Sequence, residues 1–381
     1  MTLERGFVDI IDRKDWQHKL ESGKKLRVKF GIDPTNINVH LGHVVPLRKL
    51  RQFQDAGHQV CLVIGTATAT IGDPSGRDKG RQGIDLDKAH ENADAYLRQI
   101  GKIIDLDMAE VSYNHEFLDH WGLLALMGHV TVQQILHRDD FARRLVAGNP
   151  VTLKELVYPL LQAWDSVVLK ADVEIGGTEQ LFNLQLGRHI QQAVGFPLQQ
   201  IACTLPLLRG LDGVQKMGKS LNNYIGVEEP PFEMYSKVMS IPDSLMPEWY
   251  KLLTDRDPVF LPESMFTLKH QLAFDIVTML HDISQAIDAK ATWTRQFSDR
   301  KDPENPPELV LATPEHNIVD LLRAAGFAKS KNDARRLLEG NCVSLGERER
   351  KITDPQCRVF VRDGEMLRAG NRRICRIRVT E

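Results

Sequence analysis

Two histidines flank a glycine at a point where a strand pattern gives way to a helix pattern. The segment GIDPTNINVHLGHVVPLRKL, residues 31–50, holds His40, Gly42 and His43 in this position. Imidazoles beside a helix N-terminus are donors that suit a phosphate group, and a glycine lets a ligand lie against the backbone. A metal site is disfavoured, because no nearby residue completes a ligand set. Since H-x-G-H is common by chance, it indicates phosphate binding only together with other features.

Two lysines three positions apart form a second candidate phosphate site. Lys216 and Lys219 belong to the segment KMGKS, in a loop that also contains Gly213 and Gly218. Two cations on a mobile loop can stabilise the charge that develops on a leaving pyrophosphate. A solvated loop is the simpler interpretation of this segment when it is taken alone.

Three polar residues share one face of an otherwise apolar segment. Tyr158, Gln162 and Asp165 lie within LKELVYPLLQAWDSVVLKA, residues 153–171, at spacings of four and three. These spacings place all three on one stripe of a helix. Polar groups in a buried helix need partners, so the stripe either binds a polar ligand or satisfies its own hydrogen bonds.

The apolar pattern places these motifs in an alternating series of strands and helices. Strands are predicted at 25–32, 59–65, 110–114 and 172–177, and helices at 44–58, 85–104, 153–171 and 178–193. The segment 66–77, TATATIGDPSGR, is predicted to be a loop because of its glycines and proline. The alternation predicts an α/β fold with a Rossmann-type, doubly wound parallel sheet, in which ligands bind beyond the carboxyl ends of the strands.

The pattern changes after residue 226 and again near residue 300. We predict a catalytic domain at 1–226, a helical domain of anticodon-binding type at 227–299, a Pro-rich charged linker at 300–316 and a small α+β domain at 317–381. The last segment has 15 Lys and Arg against 9 Asp and Glu, so it carries +6 and the rest of the chain −8. A basic module on an acidic body indicates nucleic-acid binding, although charged faces are often only solvated.

Composition excludes some classes of protein. The first residues lack the apolar core of a signal peptide, and no apolar run approaches the ~20 residues of a membrane helix. Five cysteines without a C-x-x-C pair indicate reduced thiols and a cytoplasmic protein without a zinc site.

The ordered set of segments FGIDPT, HLGH, GHQV, IGDPSGR, YPLLQAWDS, DVEIGGTEQ and KMGKSL resembles the class I aminoacyl-tRNA synthetases, and among them the bacterial tyrosyl-tRNA synthetase family. The resemblance covers nearly the whole chain. It implies ATP-dependent attachment of tyrosine to tRNA(Tyr) through a tyrosyl-adenylate, with release of AMP and pyrophosphate. It also implies Mg²⁺ as a companion of ATP, a homodimer, and no membrane or DNA as partner.

The resemblance implies a role for each site residue. His40, His43 and Thr35 would contact the triphosphate, and Lys216 and Lys219 its β- and γ-phosphates, with no metal ligands from the chain. The ATP and adenylate site would comprise Gly31, Asp33, Gly42, Gly177, Glu179, Met217 and Ser220. The amino-acid site would comprise Lys29, Asp73, Asn114, Tyr158, Gln162, Asp165 and Gln180. The terminal segment resembles the S-four-like RNA-binding domain, with RNA contacts from Lys329, Lys331, Arg335 and Arg336.

Some positions depart from the family pattern. Glu179 replaces a common aspartate, Lys29 and Trp164 stand where tyrosines are usual, and Thr66 belongs to an altered segment, GTATAT. Lys29, Thr66 and Trp164 leave open a paralogue that adenylates a tyrosine-like amino acid for biosynthesis. A non-catalytic RNA-binding protein on the same fold is a second alternative, which the intact HLGH and KMGKS motifs disfavour.

Overall fold

The computed structural model describes residues 3–35, 38–73, 75, 83–117, 119–256, 264–299, 302, 306–347, 350–370 and 373–380. The chain divides into two compact units, Met1–Ala286 and Ile287–Glu381. Within the described ranges, no helix is both long and apolar enough to cross a membrane.

The described part of the first unit is built on a six-stranded sheet with helices around it. Its strands are β1 (Asp9–Ile11), β2 (Arg27–Ile32), β3 (Gln59–Ile64), β4 (Glu110–Tyr113), β5 (Val173–Gly177) and β6 (Ile201–Leu205). Its helices are α1 (Arg13–Glu21), α2 (Leu41–Asp55), α3 (Thr66–Ile71), α4 (Leu86–Ile100), α5 (His120–Met127), α6 (Val132–Leu136), α7 (Asp139–Val146), α8 (Leu153–Val168), α9 (Leu181–Ala193), α10 (Pro231–Met239), α11 (Met246–Leu253), α12 (Met265–Leu280) and α13 (Ile283–Trp293), the last of which crosses into the second unit.

The strand order β1-β6-β5-β2-β3-β4 is that of a doubly wound sheet. All neighbouring pairs are parallel except β1 with β6. The chain proceeds from β2 through β3 to β4 in one direction and from β5 to β6 in the other, so the order reverses between β2 and β5. The predicted fold class is confirmed, and this reversal is where such sheets bind ligands.

Strands β2 and β5 separate at this reversal. Their register pairs are Val28 with Val173 and Lys29 with Glu174. Beyond these pairs, β2 continues beside β3 as far as Ile32, and β5 continues beside β6. A crevice therefore opens directly above the pair Lys29 and Glu174.

The loop prediction at 66–77 is wrong in its first half, where residues 66–71 form α3. Threonine is a mediocre helix former, and two contacts outweigh its preference. Asn114 accepts a hydrogen bond from the backbone N–H of Ala67 at 2.8 Å, and Thr68 Oγ1 donates to Asp33 Oδ1 at 2.6 Å. Strands β1 and β6 are additional to those that the apolar pattern predicts.

The second unit contains a small sheet and two helices. Strands β7 (Glu308–Leu311), β9 (Val343–Leu345), β11 (Met366–Ala369) and β12 (Arg373–Val379) form the order β7-β12-β11-β9, and β8 (Glu315–Asn317) pairs with β10 (Arg358–Phe360). Helices α14 (Ile318–Ala324) and α15 (Lys331–Glu339) bury apolar side chains against them.

Part of the predicted linker 300–316 is structured. Strand β7 pairs in parallel with β12, so Leu309 lies beside Ile377. Leu311 is buried in the core of this unit, which explains why an apolar run follows the prolines. The boundaries of the predicted domains remain predictions.

Candidate active site

A cavity of about 610 Å³ lies at the crevice between β2 and β5. It collects residues from strand ends, helix starts and the KMGKS loop. The predicted site residues that line it are Gly31, Asp33, Thr35, His40, Gly42, His43, Asp73, Asn114, Tyr158, Gln162, Asp165, Gly177, Glu179, Gln180, Lys216, Met217, Lys219 and Ser220. Residues more than 180 positions apart are thus brought to one place, as the two phosphate motifs require.

The histidines form the N-terminal cap of α2. His40 is the N-cap residue, and its Nδ1 accepts from the backbone N–H of Gly42 at 3.1 Å. His43 Nδ1 accepts in turn from the backbone N–H of His40 at 3.2 Å. Because both Nδ1 atoms are acceptors, a neutral imidazole in either residue carries its proton on Nε2. Each ring therefore presents one N–H donor.

Burial keeps both rings neutral. It lowers the pKa of His40 to about 4 and the pKa of His43 to about 3, and the charge of a protonated His40 lowers the second value further. Tyr96 Oη lies 3.3 Å from His43 Nε2, so the single N–H of His43 has a protein partner that a phosphate oxygen would replace. At neutral pH the pair consists of uncharged donors, which need not lose a proton to bind a phosphate oxygen.

Gly42 is required by the packing of the cap. A Cβ at this position would lie 2.9 Å from Cε1 of His40, which is closer than such atoms approach. At Gly31, in contrast, a Cβ would meet nothing within 4 Å. The first glycine is needed for the histidine pair, and the second leaves open space at the cavity wall.

The KMGKS loop is held from beneath by an asparagine. Asn223 Nδ2 donates to Asp212 Oδ2 at 2.7 Å, and its Oδ1 accepts from the backbone N–H of Gly218 at 2.9 Å. Met217 is buried, whereas Lys216 and Lys219 are exposed. The loop backbone is thus anchored at Gly218, and the side chains of Lys216 and Lys219 lie at the surface.

Glu179 lines the cavity and has one buried carboxylate oxygen, Oε2, that lacks a hydrogen-bond partner within the described residues. The side chain folds over Gly177, where a Cβ would lie 2.3 Å from this oxygen. Burial raises the pKa of Glu179, while the charge of Lys216 opposes that shift. A ligand hydroxyl would reach this oxygen once the side chain turns from Gly177 towards the cavity.

The α8 stripe is held by hydrogen bonds at the other end of the cavity. Tyr158 Oη donates to Asp33 Oδ2 at 2.9 Å, and Gln162 Oε1 accepts from Asn183 Nδ2 at 2.9 Å. Gln180 Nε2 donates to Asp73 Oδ2 at 2.8 Å. Tyr158 and Gln162 therefore have hydrogen-bond partners elsewhere in the protein rather than in one another, and both also line the cavity.

Asp165 lies at the closed end of the cavity and is almost entirely buried. Burial raises its pKa to about 7, against the opposing effects of the Lys29 charge and of Asn114. Asn114 Nδ2 approaches Asp165 Oδ2 at 3.4 Å. The position offers a buried acceptor in a pocket that Asn114, Tyr158 and Gln162 also line.

The three substitutions that left the substrate open lie outside the cavity wall. Lys29 Nζ bonds to the pair partner Glu174, Thr66 Oγ1 lies 2.8 Å from His115 Nδ1, and Trp164 Nε1 donates to Phe117 O at 3.0 Å. The sequence predicts that Lys29 contacts the amino acid. In the structure Lys29 does not line the cavity and lies beneath its floor, bonded to Glu174.

Sequence reasoning missed several residues that orient the site. Asn183 bridges Gln162 and Gln180, and the buried Arg138 donates to Asn183 Oδ1 at 3.2 Å. Arg138 Nη2 also lies 3.9 Å from Asp73 Oδ1. Asn183 lies three residues after Gln180, so helical spacing could have indicated it; Arg138 carried no such signal.

The predicted RNA-binding residues lie in the second unit around the start of α15. Lys329, Lys331, Arg335 and Arg336 are all exposed. Within the described residues none of them forms a salt bridge, although Arg335 Nη1 donates to Asn332 Oδ1 at 3.1 Å. The four charges are available to an anionic partner.

A family profile for tRNA synthetases class I (W and Y) matches residues 21–298, so the chain belongs to that family. Two relatives are tyrosine–tRNA ligases. That of Dehalococcoides mccartyi is 43% identical over 97% of this chain and 96% of its own length. That of Aquifex aeolicus is 42% identical over 98% of this chain and 97% of its own.

Solved structures agree with this fold. The tyrosyl-tRNA synthetase of Archaeoglobus fulgidus, complexed with L-tyrosine, has a TM-score of 0.61 and 21% identity, and the match covers 76% of this chain and 97% of that one. A truncated mitochondrial tyrosyl-tRNA synthetase of Aspergillus nidulans has a TM-score of 0.63 and 22% identity, with 77% and 92% covered.

Proposed function

We propose that the cavity is the active site in which this chain, a tyrosine–tRNA ligase, activates tyrosine with ATP and passes it to tRNA(Tyr). One observation carries the assignment: the polar stripe of α8 and the histidine pair with the KMGKS lysines line a single cavity. We call the part at the buried Asp165 its closed end and the part at the exposed Lys216 and Lys219 its open end. An amino acid bound at one end brings its carboxylate towards a nucleotide bound at the other.

Tyrosine would lie along the α8 stripe. Tyr158, Gln162 and Asp73 supply oxygen acceptors for the ammonium group, and Gln180 holds Asp73 in place. The phenol hydroxyl would donate to Asp165, beside Asn114. Phenylalanine would leave the buried Asp165 acceptor unpaired, which is the physical basis for its rejection.

The nucleotide would occupy the open end. The adenosine would lie against Gly31, where a Cβ would meet nothing within 4 Å, and Glu179 would accept from a ribose hydroxyl. His40, His43 and Thr35 would donate to the triphosphate, and Lys216 and Lys219 would bind its β- and γ-phosphates.

Adenylation needs no covalent bond to the protein in this arrangement. A carboxylate oxygen of tyrosine attacks the α-phosphorus, and the bond from that phosphorus to the bridging oxygen breaks, so pyrophosphate leaves with the electron pair. The neutral histidine donors and the two lysines stabilise the charge that develops on the phosphate oxygens. Positioning and charge stabilisation together account for the rate enhancement.

Mg²⁺ is proposed to enter with ATP. Within the described ranges no cluster of three or more His, Cys, Asp or Glu residues could hold a metal ion. Magnesium commonly keeps several waters and binds through substrate phosphates with one or two carboxylates. The residues present fit an ion that the ATP phosphates hold, where it would neutralise phosphate charge.

In the second step a terminal ribose hydroxyl of tRNA attacks the carbonyl carbon of the adenylate and loses its proton. The bond from that carbon to the phosphate oxygen breaks, and AMP leaves with the electron pair. We propose that the S-four-like second unit binds the tRNA through Lys329, Lys331, Arg335 and Arg336. Exposed cations without salt bridges are suited to phosphate contacts. Changing all four to alanine should raise the KM for tRNA. The slope of log KM against log salt concentration should fall by about one for each lost phosphate contact.

The matched control is Arg323→Ala, which removes an exposed arginine from the neighbouring helix α14. It should leave the KM for tRNA unchanged. If the quadruple variant charges tRNA as the unsubstituted chain does, these residues are not the RNA contact.

We also propose a homodimer in the cytoplasm. Exposed apolar side chains on helices α5 to α8 support an interface there: Leu124, Met127, Val132, Leu145, Val146 and Leu153. Sedimentation of the purified chain tests the dimer, since a monomer at micromolar concentration would contradict it.

The test of the main proposal is amino-acid-dependent exchange of pyrophosphate into ATP, followed by charging of tRNA(Tyr). Tyrosine, phenylalanine, tryptophan and tyrosine analogues are compared. Exchange with tyrosine alone is expected. Exchange with an analogue but not with tyrosine would contradict the assignment of the closed end.

A further inference from the structure

Lys29 is an ammonium group enclosed in the protein interior. Its side chain is 0% exposed and that of Glu174 is 1% exposed. The two residues are register partners on β2 and β5, at the last pair before these strands separate. The ion pair thus forms the base of the crevice in which the cavity opens.

All three ammonium protons are engaged. Lys29 Nζ lies 2.6 Å from Gln162 O, 2.7 Å from Ser166 Oγ and 2.9 Å from Glu174 Oε1. Two of these acceptors belong to α8 itself. The lysine therefore ties the middle of α8 to the sheet rather than reaching towards a ligand.

Glu174 holds the same helix from the other side. Its Oε1 accepts from Gln162 Nε2 at 3.1 Å, and its Oε2 accepts from Ser166 Oγ at 3.0 Å. Both the backbone carbonyl and the side-chain amide of Gln162 are thus fixed by the pair. Asp165 lies between Gln162 and Ser166 in the sequence, so the same contacts fix the turn that carries it.

Stability alone is a poor explanation for such a pair. Burying two charges costs free energy that their attraction often only balances, and apolar replacements of similar volume are frequently as stable. The Lys29 charge also favours the ionised form of Asp165, whose other charged neighbours, Glu174 and Asp33, oppose it. The charge of Lys29 therefore favours the carboxylate form of Asp165, the residue proposed to accept from the phenol hydroxyl of tyrosine.

We propose that Lys29, fixed by Glu174, is a positioning residue for tyrosine selection: it sets the turn of α8 that presents Gln162 and Asp165 and supplies the positive charge that keeps Asp165 an acceptor. This role rests on the proposed function of the cavity. It differs from direct contact with the substrate, since no proton of the ammonium group is left to donate.

The test uses full-length protein with two substitutions, Lys29→Met alone and Lys29→Met with Glu174→Gln. The double variant removes both charges, so we expect it to fold even where the single variant leaves an unpaired buried carboxylate. Tyrosine-dependent pyrophosphate exchange gives the KM for tyrosine and for ATP, and the preference for tyrosine over phenylalanine. Thermal unfolding confirms that each variant is folded.

In the double variant the KM for tyrosine should rise about tenfold or more, as expected when buried partners of a polar site are lost, with the KM for ATP within about twofold. The preference for tyrosine should fall. In Lys29→Met, where it folds, the pH at which tyrosine binding strengthens should move upwards, a change that a purely structural role would not produce.

The matched control is another buried ion pair, in which Arg144 of α7 binds Glu155 of α8 at 2.6 Å, away from the cavity. Arg144→Met with Glu155→Gln should lower stability and leave both KM values unchanged. A folded Lys29 double variant with the tyrosine KM and selectivity of the unsubstituted chain would overturn the inference. Absence of tyrosine-dependent exchange in the unsubstituted chain would instead overturn the proposed function, and this role with it.

Discussion

The two ends of the cavity are built on opposite principles. At the closed end, Asp165 and Gln162 are held by hydrogen bonds that exist before any ligand arrives. At the open end, Lys216 and Lys219 are exposed, and Glu179 Oε2 has no partner within the described residues. The polar side chains of the closed end are held by the protein itself, whereas the open end has donors and acceptors that are left for a ligand.

This difference corresponds to the two tasks of the enzyme. Selecting tyrosine requires a rigid acceptor that cannot adjust to phenylalanine, because a buried polar group left unpaired costs free energy. Stabilising a transition state requires groups that bind more strongly as charge develops. Substitutions at the open end should therefore act on rate, and substitutions at the closed end on selectivity.

The largest effect is expected from His43→Ala. Removing one donor to the developing charge should lower the rate of adenylation by about 10²–10³-fold, with the affinity for tyrosine changed little. Single-turnover adenylation and equilibrium tyrosine binding measure the two quantities separately. His129→Ala, which removes an exposed histidine outside the cavity, is the control. Equal losses in rate and in tyrosine affinity would contradict the assigned role.

Asp165→Ala tests the closed end. The loss of its buried acceptor should reduce the preference for tyrosine over phenylalanine by roughly 10–100-fold. Asp165→Asn keeps an acceptor oxygen and should retain more of the preference than alanine does. The preference is measured in pyrophosphate exchange as the ratio of kcat/KM for tyrosine to kcat/KM for phenylalanine. Unchanged selectivity in Asp165→Ala would mean that another residue reads the hydroxyl.

The sequence predicted the residues of this cavity better than their surroundings. Helical spacing was sufficient for Tyr158, Gln162 and Asp165, and the position after a strand was sufficient for His40. The direction of the Lys29 side chain was not predictable, because its partner Glu174 is 145 residues away. Helix α3 was missed for a similar reason, since contacts with Asn114 and Asp33 outweigh local preference.

The pH dependence of binding should differ between the two ends. Asp165, with a pKa near 7, is a better acceptor when ionised, so its protonation at lower pH should weaken tyrosine binding. The KM for tyrosine should fall about tenfold between pH 6 and pH 8 if only the carboxylate form binds. The KM for ATP should change less, because His40 and His43 stay neutral over this range.

Steady-state pyrophosphate exchange at several pH values provides this comparison. Asp165→Asn, which does not titrate, should remove the pH dependence of the tyrosine KM. A dependence that persists in this variant would assign the titration to another group and weaken the contrast between the two ends.

The smallest expected effect tests the partnerless carboxylate at the open end. Glu179→Gln keeps an acceptor for a ribose hydroxyl but removes its charge, so the KM for ATP should rise only about threefold. The KM for tyrosine should not change, because the closed end is fixed by other residues. A larger effect on tyrosine than on ATP would show that the two ends are coupled through Glu179, and the division of rate from selectivity would then fail at this residue.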